Sequence, residues 1–193
     1  ILGEEFGNER LEARYTWVLD PGDGTRAFIT GKPSFGTLIG LWEGDRSVLG
    51  VIDQPVTRER WLGVTGQATL LNGATVRVRP CDDVKKAALY ATGPEMFSGE
   101  EIPMFERLRT SVKLARYGAD CYAYALLATG FVDLVCEANL KPYDYAALVP
   151  VIEAAGGVVT DWQGQPLTLK SSGRVLAAGD RRLHAQALEI LNS

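Results

Sequence analysis

Apolar residues in the first half of the chain form short runs that end at glycine, proline or acidic residues. Runs of this length, bounded by turn residues, predict β-strands. Residues 43–46, Glu-Gly-Asp-Arg, form a turn between two of the runs and predict a β-hairpin. The predicted strands of this half are residues 15–19, 35–42, 47–53, 61–65 and 75–78.

Strands and helices alternate in the second half, which follows a seam predicted at residues 80–83. The predicted strands are residues 87–91, 112–116, 131–137, 158–161 and 175–178, and the predicted helices are residues 99–110, 120–129, 142–155 and 181–191. A hairpin-rich half followed by an alternating half predicts a layered α+β fold. We expect one domain over residues 1–193, with halves at about 1–80 and 81–193.

Composition and charge exclude several classes of function. The net charge of −4 and the sequence pI of about 5.1 argue against a nucleic-acid-binding protein. No apolar run approaches the ~20 residues that cross a bilayer and no secretory signal pattern is present, so no membrane partner and a cytoplasmic location are expected. The chain has a single histidine, His184, which argues against histidine triads and excludes multi-histidine zinc sites. His184 falls in a predicted surface helix.

The three cysteines are not predicted to take part in chemistry. Cys81, Cys121 and Cys136 lie far apart in the sequence and form no metal-ligand pattern. Free cysteines of this kind behave as small apolar residues. We therefore expect them to be buried.

Two carboxylates three residues apart, Asp20 and Asp23, follow the first predicted strand on the turn Asp-Pro-Gly-Asp-Gly-Thr. Such a turn can aim both carboxylates and a backbone carbonyl at one point, a set of oxygens that suits hard divalent cations. The amides of Gly24 and Thr25 could face a phosphate if a helix begins there. The alternative is a plain surface turn, because aspartate, proline and glycine are favoured turn residues.

Further acidic candidates lie elsewhere in the chain. Glu4 stands in a Gly-Glu-Glu segment, for which a solvated charge pair is the alternative. Asp144 stands in the first turn of a predicted helix, where it could simply cap the helix. If both converge with the two turn carboxylates, their mutual repulsion requires cations or large pKa shifts. A site with two or three cations would neutralise the carboxylates and bind phosphate oxygens.

Three segments in order, residues 3–5, 17–25 and 143–147, followed by residues 153–157, resemble the signature motifs of the inositol monophosphatase superfamily. The resemblance runs over nearly the whole chain. It implies a layered αβαβα sandwich of the inositol monophosphatase/sugar phosphatase type, with Mg²⁺ between the two halves. It also implies a small phosphate monoester as substrate and a homodimeric assembly.

The resemblance implies which residues hold the metal. One Mg²⁺ would be held by Glu4, Asp20 and the carbonyl of Gly22. A second would be held by Asp20, Asp23 and Asp144. A third Mg²⁺ is also part of the family pattern.

The catalytic roles implied by the resemblance fall on the same segments. Glu4 and Thr25 would orient the attacking water, while the Gly24 and Thr25 amides would receive the phosphate. The implied reaction is in-line hydrolysis without a phosphoenzyme. The catalytic residues expected in this way are Glu4, Thr25 and Asp23.

The sequence departs from the family pattern at two places. Gly22 stands where the family usually has a branched apolar residue, and glycine leaves the loop with more conformational freedom to lose. We therefore predict looser metal binding than in a Gly22→Ile variant. The N-terminal helical pair of the family, with the mobile loop that follows it, is missing. Because the chain begins at Ile1 without methionine, we expect a fragment or trimmed chain. In the family the missing loop helps to assemble a third metal and close the site, so its absence predicts weak activity or none.

Within the superfamily, residues 35–40, 116–122 and 138–144 look most like those of bacterial histidinol-phosphate phosphatases. Asp120 and Glu137 would place two carboxylates at the alcohol end of the substrate. Carboxylates there suit the ammonium group of histidinol phosphate, because charge-assisted hydrogen bonds are stronger than neutral ones. For Asp120 the alternative is a capping residue of the helix that starts at Cys121.

The predicted reaction is thus Mg²⁺-dependent conversion of histidinol phosphate to histidinol and phosphate, a step of histidine biosynthesis. An inositol-1-phosphate or broad sugar-phosphate phosphatase is the alternative among enzymes. A non-catalytic regulatory or binding member of the superfamily is the alternative from another class.

Overall fold

The computed structural model describes residues 1–5, 7–9 and 12–193. In this part of the chain, thirteen strands form one sheet of eight and one sheet of five. Helices lie between the sheets and on the far side of the smaller sheet. The predicted α+β class is confirmed.

The larger sheet is formed by the first half of the chain. Its strand order is β2-β1-β3-β4-β5-β6-β7-β8, antiparallel throughout except for the parallel pair of β1 and β3. The predicted hairpin is confirmed as the pair of β4 and β5. A short helix, α1 (Thr25–Ile29), follows β3. The strands are β1 (Leu2–Gly3), β2 (Gly7–Asn8), β3 (Tyr15–Asp23), β4 (Gly36–Glu43), β5 (Arg46–Gln54), β6 (Glu59–Val64), β7 (Leu70–Leu71) and β8 (Ala74–Thr75).

The strand predicted at residues 75–78 is wrong beyond Thr75. The Val76 amide donates to the Thr69 carbonyl at 2.9 Å, and the Val78 amide donates to the Ala155 carbonyl at 3.1 Å. The second of these bonds ties the segment to the other half of the molecule. Residues 76–78 therefore bridge the two halves instead of extending the sheet.

The smaller sheet is formed by the second half, with strand order β10-β9-β11-β13-β12. β9 runs parallel to β10 and β11, whereas β13 runs antiparallel to β11 and β12. The five predicted strands are all present. They are β9 (Ala88–Ala91), β10 (Leu114–Tyr117), β11 (Leu134–Glu137), β12 (Val158–Thr160) and β13 (Val175–Ala178). The helices are α2 (Glu101–Ser111), α3 (Cys121–Ala128), α4 (Pro142–Tyr145), α5 (Leu148–Ala154) and α6 (Arg181–Leu191).

The single helix predicted at residues 142–155 is instead the pair α4 and α5, interrupted at Ala146 and Ala147. Pro150 has no amide hydrogen, so it cannot donate to the carbonyl of Ala146 four residues earlier. That carbonyl accepts a hydrogen bond from the Ser47 hydroxyl at 2.7 Å instead. The interruption thus docks the helix pair onto the larger sheet.

Two apolar cores separate the layers. The core between the sheets joins Leu38 and Ile52 of the larger sheet to α3, α5 and the inner face of the smaller sheet. The second core lies beneath α2 and α6, on the outer face of the smaller sheet. The described residues therefore form four layers in the order sheet, helices, sheet, helices. This is the predicted αβαβα sandwich without its first helical layer.

His184 contradicts its prediction as a surface residue. The helix α6 is present, but His184 is only 6% exposed, and one ring nitrogen lies 2.9 Å from the Thr160 hydroxyl. His184, Ala187 and Leu191 share the buried face of α6 at helical spacing. Burial lowers the pKa of His184 to about 4.

The remaining expectations concern cysteines and membranes. Cys121 and Cys136 are buried as predicted, whereas Cys81 is only partly buried. Among the described residues, no helix combines the length and the apolar composition that crossing a bilayer requires.

Candidate metal centre and phosphate site

The end of β3 forms a bulge that carries the two turn carboxylates. The pairing of β3 with β4 shifts register between Asp20 and Asp23, which leaves Pro21 and Gly22 outside the ladder. The Asp20 carboxylate accepts a hydrogen bond from the Gly22 amide at 2.9 Å, and the Thr37 hydroxyl donates to the Pro21 carbonyl at 2.8 Å. The bulge is therefore stabilised by one hydrogen bond within it, to Asp20, and by one from β4, donated by Thr37.

Asp144 reaches the same place from the other half of the molecule. It is the third residue of α4, and its carboxylate accepts a hydrogen bond from the Lys141 amide at 2.6 Å. The alternative that Asp144 caps its helix is thus correct. Capping fixes the rotamer of Asp144, and that rotamer also directs the carboxylate toward Asp20 and Asp23.

The three aspartates converge. One carboxylate oxygen from each of Asp20, Asp23 and Asp144 lies within 4.8 Å of the others. Asp20 is only 1% exposed, so the plain surface turn considered from the sequence does not describe this segment. These hard oxygen donors at this separation form a set that Mg²⁺ prefers in proteins.

Electrostatics supports a cation at this position. Burial raises the pKa of Asp20 to about 8, and the charge of Asp23 adds to the shift. Burial likewise raises the pKa of Asp23 to about 7, with help from the charge of Asp144. Burial raises the pKa of Asp144 to about 6. Three carboxylates of this kind cannot all be ionised near neutral pH unless a cation compensates their charge, so the residues present fit a divalent metal.

Glu4 lies at the rim of this cluster. Its amide donates to the Leu19 carbonyl at 3.2 Å, which continues the parallel pairing of β1 with β3. Its carboxyl contributes to the raised pKa of Asp20 by a hydrogen bond and by its charge, after the larger effects of burial and of Asp23. Glu4 is exposed and stands apart from the set of three converging oxygens.

The residues predicted to bind phosphate lie at the start of α1. Gly24 has φ +83°, and a Cβ there would lie 3.0 Å from the Asp120 Cγ and 3.1 Å from the Phe35 Cα. The Thr25 hydroxyl donates to the Gly22 carbonyl at 3.3 Å. The first amides of a helix have no acceptor within the helix, so those of α1 can bind an anion. A groove of ≈ 410 Å³ opens beside this segment.

Asp23 also organises the second half. Its carboxylate accepts a hydrogen bond from the Cys121 amide, the first residue of α3, at 2.8 Å. Asp120 makes no capping bond with its side chain, so its interpretation as the cap of α3 is wrong. Instead, the Asp120 carboxylate accepts a hydrogen bond from the Ser34 hydroxyl at 3.1 Å. Burial is the main cause that raises the pKa of Asp120.

Glu137 is more enclosed than Asp120. It ends β11 with 2% exposure, and its two oxygens accept hydrogen bonds from the Thr92 amide at 2.7 Å and the Tyr124 hydroxyl at 2.9 Å. Burial raises the pKa of Glu137 to about 7. Of the two carboxylates predicted at the alcohol end, only Asp120 is partly open to solvent.

Three residues that support these carboxylates were missed by the sequence analysis. Ser34 contacts Asp120, Tyr124 contacts Glu137, and Thr37 holds the bulge. Tyr124 lies in the helix predicted at residues 120–129, and the pattern of that helix does not mark a contact with Glu137. Ser34 and Thr37 lie in segments whose pattern indicates only a loop and a strand.

Comparison with known proteins matches this geometry to one family. The family model described as the inositol monophosphatase family matches residues 1–193. The bifunctional phosphatase IMPL2, chloroplastic, of Arabidopsis thaliana is 53% identical over 99% of this chain. A histidinol-phosphatase of Chlorobaculum parvum is 31% identical over 92% of this chain. The chain spans 58% of the length of the first relative and 69% of the second.

A solved structure agrees in fold. An inositol monophosphatase from Zymomonas mobilis superposes with a TM-score of 0.95 at 48% identity, covering 99% of this chain and 76% of that chain. The match covers β3 with its bulge and the α4 segment, which carry the converging aspartates. With its layered fold, its ordered acidic motifs and a family model matched along its full length, the chain belongs to the inositol monophosphatase family.

Proposed function

We propose that this protein hydrolyses a small phosphate monoester with the help of Mg²⁺, and that its substrate is histidinol phosphate. The observation that carries the proposal is the convergence of Asp20, Asp23 and Asp144 within 4.8 Å, with the pKa of each raised. A buried group of like charges has a high electrostatic cost unless it binds a cation. The position of this group beside the start of α1, where the first amides have no acceptor within the helix, supports a phosphate ligand.

The residues that would hold the metal come from both halves. Asp20, Asp23 and Asp144 would supply carboxylate oxygens, with Glu4 and the Gly22 carbonyl at the exposed side. Two or three Mg²⁺ ions bound there would neutralise these carboxylates and the charge of the phosphate group. The Gly22 carbonyl accepts a hydrogen bond from the Thr25 hydroxyl at 3.3 Å, and its second lone pair would serve the metal.

The remaining roles belong to groups of the chain itself. The amides of Gly24 and Thr25 would donate hydrogen bonds to phosphate oxygens, since α1 begins at Thr25. The Glu4 carboxylate and the Thr25 hydroxyl would orient the attacking water and the former would accept its proton. The new phosphorus–oxygen bond would form in line with the ester bond that breaks, the leaving alkoxide would take a proton from solvent water, and Glu4 would return its proton to solvent.

Asp120 supports the choice of histidinol phosphate within this class of substrate. Its partly exposed carboxylate lies against Gly24, whose amide is one of the two proposed phosphate ligands. A carboxylate there can accept a charge-assisted hydrogen bond from an ammonium group, which histidinol phosphate carries and inositol phosphate lacks. Glu137 is enclosed, so it would support the site indirectly, through its hydrogen bonds with the Thr92 amide and the Tyr124 hydroxyl.

The names of the relatives support both enzymatic candidates. One relative is named a bifunctional phosphatase, one a histidinol-phosphatase and one an inositol monophosphatase. An inositol-1-phosphate or broad sugar-phosphate phosphatase therefore stays as the second candidate. Homodimeric assembly and cytoplasmic location stay predictions, and the name of the Arabidopsis relative places that protein in the chloroplast.

The experiment compares kcat/KM for histidinol phosphate, inositol-1-phosphate and a sugar phosphate in the presence of Mg²⁺. We expect histidinol phosphate to be preferred by about tenfold or more, the value of one hydrogen bond to a charged group. An Asp120→Ala variant should lose this preference. A preference for inositol-1-phosphate, or equal rates, would support the second candidate. No release from any substrate would support the non-catalytic reading.

A further inference from the structure

We propose that Ser34 is a positioning residue for substrate selectivity, because its hydroxyl holds the Asp120 carboxylate beside the phosphate site. This inference rests on the proposed function, in which Asp120 contacts the substrate ammonium. Neither the family motifs nor the sequence pattern singled out Ser34. Its role follows from three features of the structure: the backbone of Asp120, the burial of Ser34, and the bracing of the loop that carries Ser34.

The backbone of Asp120 is in a conformation that favours glycine. Asp120 has φ 49° and ψ −142°, a region of backbone conformation that is strained for any residue with a side chain. The side chain does not offset this strain by capping α3, because the second and third amides of α3, those of Tyr122 and Ala123, donate to the backbone carbonyls of Ala119 and Asp120. In this backbone conformation the Asp120 carboxylate lies next to Gly24. An aspartate kept under strain, without a capping role, points to a function of its carboxylate.

Ser34 is the neutral partner of that carboxylate. It is 5% exposed, and its hydroxyl lies 3.1 Å from the Asp120 Oδ2 and 3.5 Å from the Gly118 carbonyl oxygen. Two cations also act on Asp120 through their charge, Lys32 and Arg26. Without the Ser34 hydroxyl, the carboxylate would be free to turn toward these cations and away from the substrate. The hydrogen bond from Ser34 therefore selects one rotamer of Asp120.

The loop that carries Ser34 is braced on both sides by Gln54. The Gln54 side-chain amide donates to the carbonyls of Pro33 and Phe35, each at 3.2 Å, and these two residues flank Ser34. Its side-chain oxygen accepts hydrogen bonds from the amide and the hydroxyl of Thr57. The side-chain nitrogen and oxygen that make these bonds belong to Gln54, a buried residue at the end of β5. Ser34 is thus preorganised by the sheet, as a residue that fixes a binding group should be.

The experiment measures the ratio of kcat/KM for histidinol phosphate to that for inositol-1-phosphate in a Ser34→Ala variant. We expect the ratio to fall roughly tenfold, the scale of one hydrogen bond to a charged group, mainly through a higher KM for histidinol phosphate. The matched control is Ser98→Ala. It removes a hydrogen bond of the same kind, from the Ser98 hydroxyl to the Glu101 carboxylate at 3.1 Å, and should leave the ratio unchanged.

A double-mutant comparison separates positioning from stability. Asp120→Gly removes the carboxylate at a φ that glycine adopts without strain, so this variant should fold. In the Asp120→Gly background, Ser34→Ala should have no further effect on the ratio. A further fall in that background, or an equal loss for both substrates, would overturn the role of Ser34. A wild-type preference that Ser34→Ala leaves intact overturns this inference alone, whereas a wild-type protein without the preference overturns the proposed function as well.

Discussion

Gly22 and Gly24 are two residues apart in the same loop, but they differ in the space around a Cβ atom and in backbone conformation. At Gly22 a Cβ would meet no atom within 4 Å. At Gly24 it would press against Asp120 and Phe35, and the backbone has φ +83°. The first glycine is therefore replaceable, while the second is required by both space and conformation.

We predict that Gly22→Ile keeps the stability of the protein within about 0.5 kcal/mol, as for other surface substitutions. The stiffer loop should lower the Mg²⁺ concentration that gives half-maximal phosphate release. A Mg²⁺ titration of both proteins checks this, and superimposable activation curves would contradict it.

We predict that Gly24→Ala lowers the free energy of unfolding by about 1 kcal/mol or more, because alanine is disfavoured at positive φ and its Cβ has no room. Phosphate release should fall by more than the loss of folded protein. Chemical denaturation and steady-state kinetics measure the two effects, with Gly22→Ala as the matched control. Wild-type values for Gly24→Ala would show that the loop can relax.

Whether a contact of the site could be predicted from the sequence depended on how far apart its two residues lie along the chain. The three aspartates stand in motifs that resemble those of the family, so the resemblance implied their convergence, and the structure brings them together. The contact of Ser34 with Asp120 could not be predicted, because 86 residues separate the two and neither pattern marks it. The same holds for the hydrogen bond from the Cys121 amide, the first of α3, to the Asp23 carboxylate, because 98 residues separate the two.

Secondary-structure elements were predicted well where the spacing of apolar residues was clear. They were predicted less well where a hydrogen bond to the other half of the molecule changed the local structure. The break between α4 and α5 follows from Pro150 and from the hydrogen bond to Ser47, and only the proline is visible in the sequence. The misplaced strand at residues 76–78 was redirected by a bond to Ala155. Both errors arise from contacts between the halves.

The packing of α6 leads to a prediction about pH. His184 is buried against Thr160, and its pKa is lowered to about 4, compared with about 6.5 in the unfolded chain. The unfolded state therefore binds more protons between these values, and stability falls as pH decreases from about 6.5 toward 4. The lost contribution is up to about 3 kcal/mol, because one pKa unit corresponds to ~1.4 kcal/mol.

A His184→Gln variant should lose this part of the pH dependence. Urea denaturation of both proteins at several pH values between 4 and 7 measures the difference in free energy of unfolding. We expect the two curves to approach each other as pH falls. A constant difference over this range would show that His184 does not titrate as the packing indicates.

At the scale of the whole molecule, the acidic cluster joins the two halves. Asp20 and Asp23 come from the larger sheet, and Asp144 comes from the helix pair that docks on it. The layered α+β class could be predicted from the order of strands and helices, whereas the number of layers came from the resemblance to the family. The strand order of the smaller sheet could not be predicted, because β13 inserts between β11 and β12 through long-range pairing.

A cation that joins the halves should stabilise the molecule. We predict that Mg²⁺ raises the melting temperature of the wild-type protein, since a ligand at 100 times its Kd adds about 2.7 kcal/mol. Asp20→Asn removes a carboxyl group whose burial next to Asp23 is unfavourable, because Asp20 must take up a proton to avoid an uncompensated charge. Without Mg²⁺ this variant should melt above the wild-type protein, and with Mg²⁺ it should gain little.

Thermal unfolding monitored by circular dichroism, with and without Mg²⁺, makes this comparison. Asp45→Asn in the exposed hairpin turn is the matched control and should respond to Mg²⁺ like the wild-type protein. An Asp20→Asn variant that keeps the full Mg²⁺ response would place the cation elsewhere.

The most direct test of the central claim is phosphate release from histidinol phosphate as the metal is removed and restored. We predict that a chelator abolishes release and that added Mg²⁺ restores it in the wild-type protein but not in Asp20→Asn. Release that persists in the chelator, or that Asp20→Asn supports at the wild-type rate, would contradict the assignment of this acidic cluster as the metal centre of a phosphatase.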